Sequence, residues 1–385
     1  MNVVVVGGGF AGVKAALELA KRHIGKITLI SDEPYFLHHA TLYATATGKN
    51  TAESVISLND IFAEYPNVTV IDDKITSIDT HRKLVISSKK QYSYDKAVFA
   101  LGSVTTYFGI KGMQQHAFGI KSLSEIHAFK EHIHAELIHK KLDKEYFVIG
   151  AGPTGVELAA ALQEYLQYLI TAYRLPATHV KVTLVEAAQR ILPHYSLTAS
   201  KLVSKRLNKL GIRVLTNHRV TALDKDTITI EGKKIHTKTA IWTSGVANNP
   251  FFAAHQDVFH LAKDGRVNVN PFLEAVPNVY VIGDNSTTPF SGTAWQALAQ
   301  AKFVAKHLTR IHTKLPQFAY RPRKSIVGLP VGETWGYVES MNIYIAGRPG
   351  AFARRLMELY SYTQLVKYRK AVALWRAHDI PHVDA

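Results

Sequence analysis

At 385 residues, 47% hydrophobic and 20% charged, the chain can bury two or three domain cores and has the composition of a folded globular protein, which excludes wholesale disorder. It contains no cysteine, which excludes disulfides, thiolate nucleophiles, zinc–thiolate sites, iron–sulfur ligation and any electron route through a redox-active cysteine pair. The formal net charge of +16 favours an anionic surface; no nucleic-acid-binding module is present, so the partner is a lipid headgroup layer, unless the basic residues serve solubility alone.

In chain order, Val3–Val6 reads as a buried strand running into Gly7-Gly8-Gly9-Phe10-Ala11-Gly12, which opens an alanine-rich helix. In this G-x-G-x-x-G order the first glycine permits a tight turn and the second lets the backbone approach a pyrophosphate. The third lets helix pack closely on strand, and the helix N-terminus then faces the negative charge. The next strand, from Lys26, ends in Ser31 and Asp32, where an acid usually binds an adenosine ribose; Asp32 either reaches the ribose or is a solvated turn residue. Residues 68–71, 75–78 and 83–86 read as a meander of short strands, and residues 94–103 as a strand ending in the glycine turn Leu101-Gly102-Ser103.

The plan then repeats. Strand 146–149 runs into Gly150-Ala151-Gly152-Pro153-Thr154-Gly155, and strand 180–186 ends in Glu186. A carboxylate there accepts bonds from both ribose hydroxyls and repels a 2′-phosphate; with Ala187-Ala188 following and no arginine, this half prefers NADH to NADPH. Residues 213–215 and the hairpin-like 227–232 lead to strand 239–246 with its own glycine turn, and strand 278–284 carries Gly283-Asp284 at its carboxyl end. Strand–helix alternation implies an α/β fold with parallel sheets. One glycine loop is a weak signal. Two, in full strand–turn–helix context, imply two dinucleotides and electron transfer between them. His132, His134 and His139 do not converge on one ion, and His38 and His39 are adjacent, so no metal is expected. No run is long enough to span a bilayer, and Met1-Asn2 leads straight into a strand without a signal-peptide pattern, so a cytoplasmic location is expected.

With these segments in view, the chain resembles the two-dinucleotide flavoprotein reductases and, within them, the type II NADH dehydrogenases. The likeness runs almost end to end, through Gly7–Gly12, Tyr35-Phe36-Leu37, Leu101–Ser103, Phe108–Gly112, Lys121-Ser122-Leu123, Gly150–Glu157, Arg190–Pro193, Trp242–Val246 and Gly283-Asp284. It implies two Rossmann-like domains. A discontinuous FAD-binding domain covers 1–114 and 247–318, an NADH-binding domain covers 115–246, and a C-terminal amphipathic helical region for membrane contact or dimerisation covers 319–385. For FAD it implies Gly7, Gly9, Phe10, Ala11, Gly12, Ser31, Asp32, Leu101, Gly102, Ser103, Gly283, Asp284, Thr293 and Ala294, with Asp284 on the ribityl chain unless it is only a helix N-cap. For NADH it implies Gly150, Gly152, Pro153, Thr154, Gly155, Glu186, Ser244 and Gly245.

Hydride transfer between stacked rings at roughly 3–3.5 Å needs placement and a dry pocket more than an acid–base pair. Glu157 is the expected catalytic residue, orienting the nicotinamide or relaying a proton; otherwise it stabilises its helix N-terminus. On the quinone side the chain departs from its relatives. Trp295 replaces one glutamine and Ala299 another, leaving Gln300; His38-His39-Ala40-Thr41 and Ala44 also differ. Trp295 either stacks on a quinone or plugs its entrance. In residues 351–377 a stripe of Leu356, Leu359, Thr363 and Val366 beside basic residues suits an anionic headgroup layer, or packs on the protein or a second subunit as a homodimer. The expectation is a peripheral enzyme on the cytoplasmic face of the membrane that passes electrons from NADH through FAD to quinone without pumping protons. The rivals are a soluble reductase feeding oxygen or a small redox protein, and a non-catalytic nucleotide-sensing scaffold.

Overall fold

The computed structural model describes residues 1–140, 142–175, 180–341 and 343–379. Asn2–Val6 is apolar and buried along Val3–Val6, as the centre of a parallel sheet covered on both faces requires. That sheet has six strands in the order 274–276, 279–281, 96–99, 2–6, 26–31 and 68–72. All pairs are parallel except the edge pair Glu274–Val276 with Val279–Val281. Val68–Asp72 therefore belongs to the main sheet and not to the meander expected from sequence. Apolar periodicity alone does not separate a parallel edge strand from a meander strand, and the crossover helix Leu58–Phe62 decides between them. The meander is Ile75–Asp79, Leu84–Ser87 and Gln91–Ser93.

A second parallel sheet, ordered 213–215, 181–185, 145–149 and 239–242, carries the meander Val220–Asp224, Thr227–Ile230 and Lys233–His236. The first sheet is thus assembled from residues on both sides of the second in sequence. Where the chain passes between them, Ser103–Thr105 pairs antiparallel with Val246–Asn248. The helix of the first glycine loop, Phe10–Lys21, packs along Ala294–His312, so a late helix roofs an early one.

Beyond residue 326 the sequence suggests helices alone, but the structure has a three-stranded antiparallel sheet first: Val327–Pro330, Gly336–Ser340 and Ile343–Gly347. Helices Arg348–Thr363 and Tyr368–Ala377 follow. This region joins the two halves. On the second half, Arg206 Nε donates to Val331 O at 3.1 Å and Ser196 Oγ to Glu339 Oε2 at 2.6 Å. On the first, Lys14 Nζ donates to Gln364 O at 2.9 Å, Ser361 Oγ lies 2.6 Å from His38 Nε2, and the Tyr362 hydroxyl donates to Glu53 O. Tyr362 and Leu365 are buried, each contributing on the order of 1.5–3 kcal/mol.

The expected stripe on Arg348–Thr363 requires correction. Leu359 and Val366 pack against the first-half core, whereas Phe352, Leu356 and Tyr360, four residues apart, form the exposed row. The inward face instead holds the charged Arg354 and Glu358, paired at 3.0 Å. The inward side thus carries an ion pair beside Leu359 and Tyr362, and the outward side carries an exposed apolar row.

Candidate functional site

Each glycine loop is a cradle with two tight glycines and one open one. A Cβ built on Gly12 would lie 1.9 Å from Gly7 O, and one on Gly155 would lie 1.8 Å from Gly150 O, so neither position accepts a side chain. At Gly9 and Gly152 such an atom meets nothing within 4 Å. Both residues are N-caps without a side-chain cap, so the first N–H groups of Phe10–Lys21 and Pro153–Ala172 remain for a ligand. Open space before uncapped amides and a helix dipole fits a pyrophosphate.

At the second loop Glu186 accepts from Ala151 N at 2.7 Å and Ala188 N at 2.9 Å, which fixes its carboxylate beside the turn. Ser244 abuts Gly150, and Gly245 has no room for a side chain because Thr106 O and the Phe108 ring crowd it. Pro153 and Thr154 are exposed at the helix start. At the first loop Ser31 is buried and its Oγ accepts from Glu33 N at 3.2 Å, while Asp32 is exposed. The two halves therefore treat the end of their second strand differently.

The first-half cleft gathers its remaining residues through one network. Ser103 Oγ donates to Asp284 Oδ2 at 3.1 Å, and Lys121 Nζ donates to Ser103 Oγ at 3.1 Å. Asn285, not singled out in sequence, clamps the glycine turn: Gly102 N donates to its Oδ1 at 2.9 Å and its Nδ2 donates to Gly102 O at 2.7 Å. Its place directly after Gly283-Asp284 was the available signal. Leu101 packs at the edge of the first-half core, and Ala11 faces Gly283 across a gap that a Cβ on Gly283 would narrow to 3.2 Å. Thr293 N-caps Ala294–His312, accepting from Gln296 N at 3.3 Å, and Ala294 is that helix's first residue.

Glu157 lies beyond the first turn of its helix and is buried, so helix-end stabilisation is not its role. Burial pushes its carboxyl up to about 8; the Arg354 guanidinium opposes this and Glu358 adds to it. Arg354, nearly 200 positions away, is likewise buried, donates to Ala40 O at 3.3 Å, and left no sequence signal. Nearby, burial and Arg354 push His38 down to about 3, so it is a neutral ring packed on Tyr362 with centroids 4.8 Å apart. His39 diverges toward Lys121 and Asp284.

The two expected quinone residues do not meet. Gln300 is fully buried: its Oε1 accepts from Gly283 N at 2.7 Å and its Nε2 donates to Thr288 Oγ1 at 2.5 Å. Its amide is spent on the turn that carries Asp284, so it positions that turn and does not face a substrate. Trp295 is 38% exposed, its ring 5.9 Å from Tyr360 and tilted 33°. Among the described residues no group of three or more histidine or acidic side chains is placed to hold a metal, and no helix is long and apolar enough to cross a membrane.

Residues 1–301 match the model of the pyridine nucleotide-disulphide oxidoreductase family. Type II NADH:quinone oxidoreductases of several Staphylococcus aureus strains, MSSA476 and MW2 among them, are 28% identical over 382 residues, covering 93% of this chain and 94% of theirs. NDH2 from Plasmodium falciparum, solved in complex with NADH, superposes with a TM-score of 0.88 at 17% identity, covering 98% of this chain and 97% of that one. The sulfide:quinone oxidoreductase of Aquifex aeolicus gives 0.80 at 21% identity, covering 100% of this chain and 93% of that one. These structural likenesses concern the fold.

Proposed function

The chain belongs to the pyridine nucleotide-disulphide oxidoreductase family, and on that premise we propose that it is a FAD-dependent type II NADH:quinone oxidoreductase that moves electrons to a membrane quinone without pumping protons. The observation that carries the reading is the doubled cradle, with Gly9 and Gly152 both facing open space at uncapped helix ends. The end-to-end similarity to the Staphylococcus aureus enzymes supports quinone as acceptor. The absence of cysteine supports direct transfer, since the disulfide chemistry in the family's description has no residue here to perform it.

Residues 1–114 with 247–318 form the FAD-binding domain, and 115–246 the NADH-binding domain. Bound FAD would supply the redox chemistry, accepting a hydride from NADH and passing two electrons and a proton to quinone, which needs one further proton. The protein contributes placement. The Gly7–Gly12 turn, Asp284, Ser103 and the Asn285 clamp would hold FAD, and the Gly150–Gly155 turn, Glu186 and Ser244 would hold NADH. Glu157, carrying its proton near neutral pH, is poised to hand one proton to the acceptor side and recover it, with Arg354 compensating the charge left behind. Trp295 and Tyr360 stand on the outward side of the same region and line the quinone's approach.

The partner surface is the exposed row Phe352, Leu356 and Tyr360 together with Ile343 and Ile345 of the neighbouring strand. Exposed Arg321, Arg323, Lys324 and Arg348 lie in the adjoining sequence. Such a face suits an anionic headgroup layer on the cytoplasmic side, each cation near it adding about 1 kcal/mol. A second copy of the chain is the competing occupant. Flotation with vesicles of 30:70 anionic to zwitterionic lipid, paired with anaerobic turnover on a soluble benzoquinone, tests the proposal. Expected are salt-sensitive binding and turnover. Absent binding with fast oxygen reduction would make it a soluble reductase.

A further inference from the structure

We propose that Lys121 is the cation that sets the electron affinity of the cofactor in the first-half cleft; this rests on the FAD reading above. The backbone of Lys121 is pinned. Its N–H donates to Glu125 Oε2 at 2.6 Å, Ser122 N donates to the same oxygen at 2.9 Å, and Ser122 Oγ accepts from Glu125 N at 3.2 Å. This is a complete capping box at the start of helix Leu123–Ile138, with Lys121 immediately before the cap. Glu125 is thereby occupied with backbone amides, and the side chain of Lys121 extends to Ser103, whose hydroxyl continues to Asp284.

Ser103 is the one hydrogen-bond acceptor of the Lys121 ammonium among the described residues, so two of its three donors are unspent. A half-buried ammonium with so little compensation is costly for a structural role. Burial lowers its pKa, while Asp284 and Glu125 hold it charged. The nearby His39 ring is kept neutral by burial and by Lys121 itself. The local balance is therefore one cation against the carboxylates of Asp284 and Glu125, the latter already shared with two backbone amides. A hydride carries two electrons and one proton, so its arrival adds one negative charge to a neutral ring. With FAD bound in this cleft, the Lys121 cation would stabilise that charge, and its removal would leave the Asp284 and Glu125 charges unopposed.

The test is the midpoint potential of the bound flavin, measured by anaerobic dye-coupled titration without NADH turnover. Lys121→Met and Lys121→Gln are expected to lower it, disfavouring the reduced form about tenfold, or about 30 mV for a two-electron couple. Lys121→Arg, which keeps the charge, is expected to stay within about twofold of the parent. An unchanged potential in flavin-replete neutral variants overturns the proposal. So does loss of flavin from both neutral variants at unchanged thermal stability, which would make Lys121 a binding group only. A parent protein that takes up no flavin would instead overturn the FAD reading itself, and this inference with it.

Discussion

The two glycine loops share one backbone solution and differ in what surrounds them. The first is roofed by rings: Phe10 meets Phe36 edge-on at 4.8 Å and His38 at 5.1 Å, and His38 packs on Tyr362 of the C-terminal helix. The second begins with exposed Pro153 and Thr154, and the acid at the end of its second strand is fixed by two amides before any ligand arrives. A roofed cradle suits a coenzyme that stays, and an open one with a preset ribose acceptor suits a coenzyme that comes and goes. The shared glycine spacing thus encodes the backbone cradle, and the distant chain decides how far that cradle is covered.

The largest effects come from closing either cradle. Gly12→Ala and Gly155→Ala each drive a methyl into a carbonyl oxygen, with strain of about 1–3 kcal/mol that backbone cannot sidestep. Gly12→Ala is expected to purify colourless. Gly155→Ala is expected to keep its 450 nm band and lose bleaching by NADH. The reverse assignment in the absorbance spectra would break the comparison.

A smaller effect concerns the buried acid between the halves. Burial raises the Glu157 carboxyl from the ordinary glutamate range to about 8. The folded state therefore keeps a proton that the unfolded chain releases, and stability falls as pH rises through that window. Glu157→Gln removes this penalty. Its thermal stability relative to the parent should improve between pH 5 and pH 9 by an amount on the order of a few kcal/mol. A pH-independent difference would show that Arg354 fully offsets the burial.

The smallest expected effect belongs to Glu186. Replacement by alanine should raise the NADH KM about tenfold, about 1.4 kcal/mol, with flavin content unchanged. An unchanged KM would remove Glu186 from the ribose site and leave the second cradle without its distinguishing feature.

Much of this was legible in sequence because it is local. The glycine loops, Glu186 and the Leu101–Ser103 turn each depend on a few neighbouring residues whose backbone demands are visible in the chain. Contacts made at long range were not legible. Arg354, paired with Glu358, bears electrostatically on Glu157 from nearly 200 positions away, and nothing around either residue announces it. On the helix Arg348–Thr363 the sequence left open whether membrane or protein receives the stripe, because period 3.6 does not say; Leu359 packs inward and Leu356 outward. Gln300 was placed by analogy with the position of glutamines in relatives, yet here its amide is consumed by Gly283 and Thr288.

The most direct test of the account is an anaerobic titration of the purified protein with NADH, followed at 450 nm. The account predicts a yellow protein that loses its flavin band at one NADH per flavin. A colourless protein, or one still yellow under excess NADH, would contradict the claim that the two cradles present their coenzymes to each other.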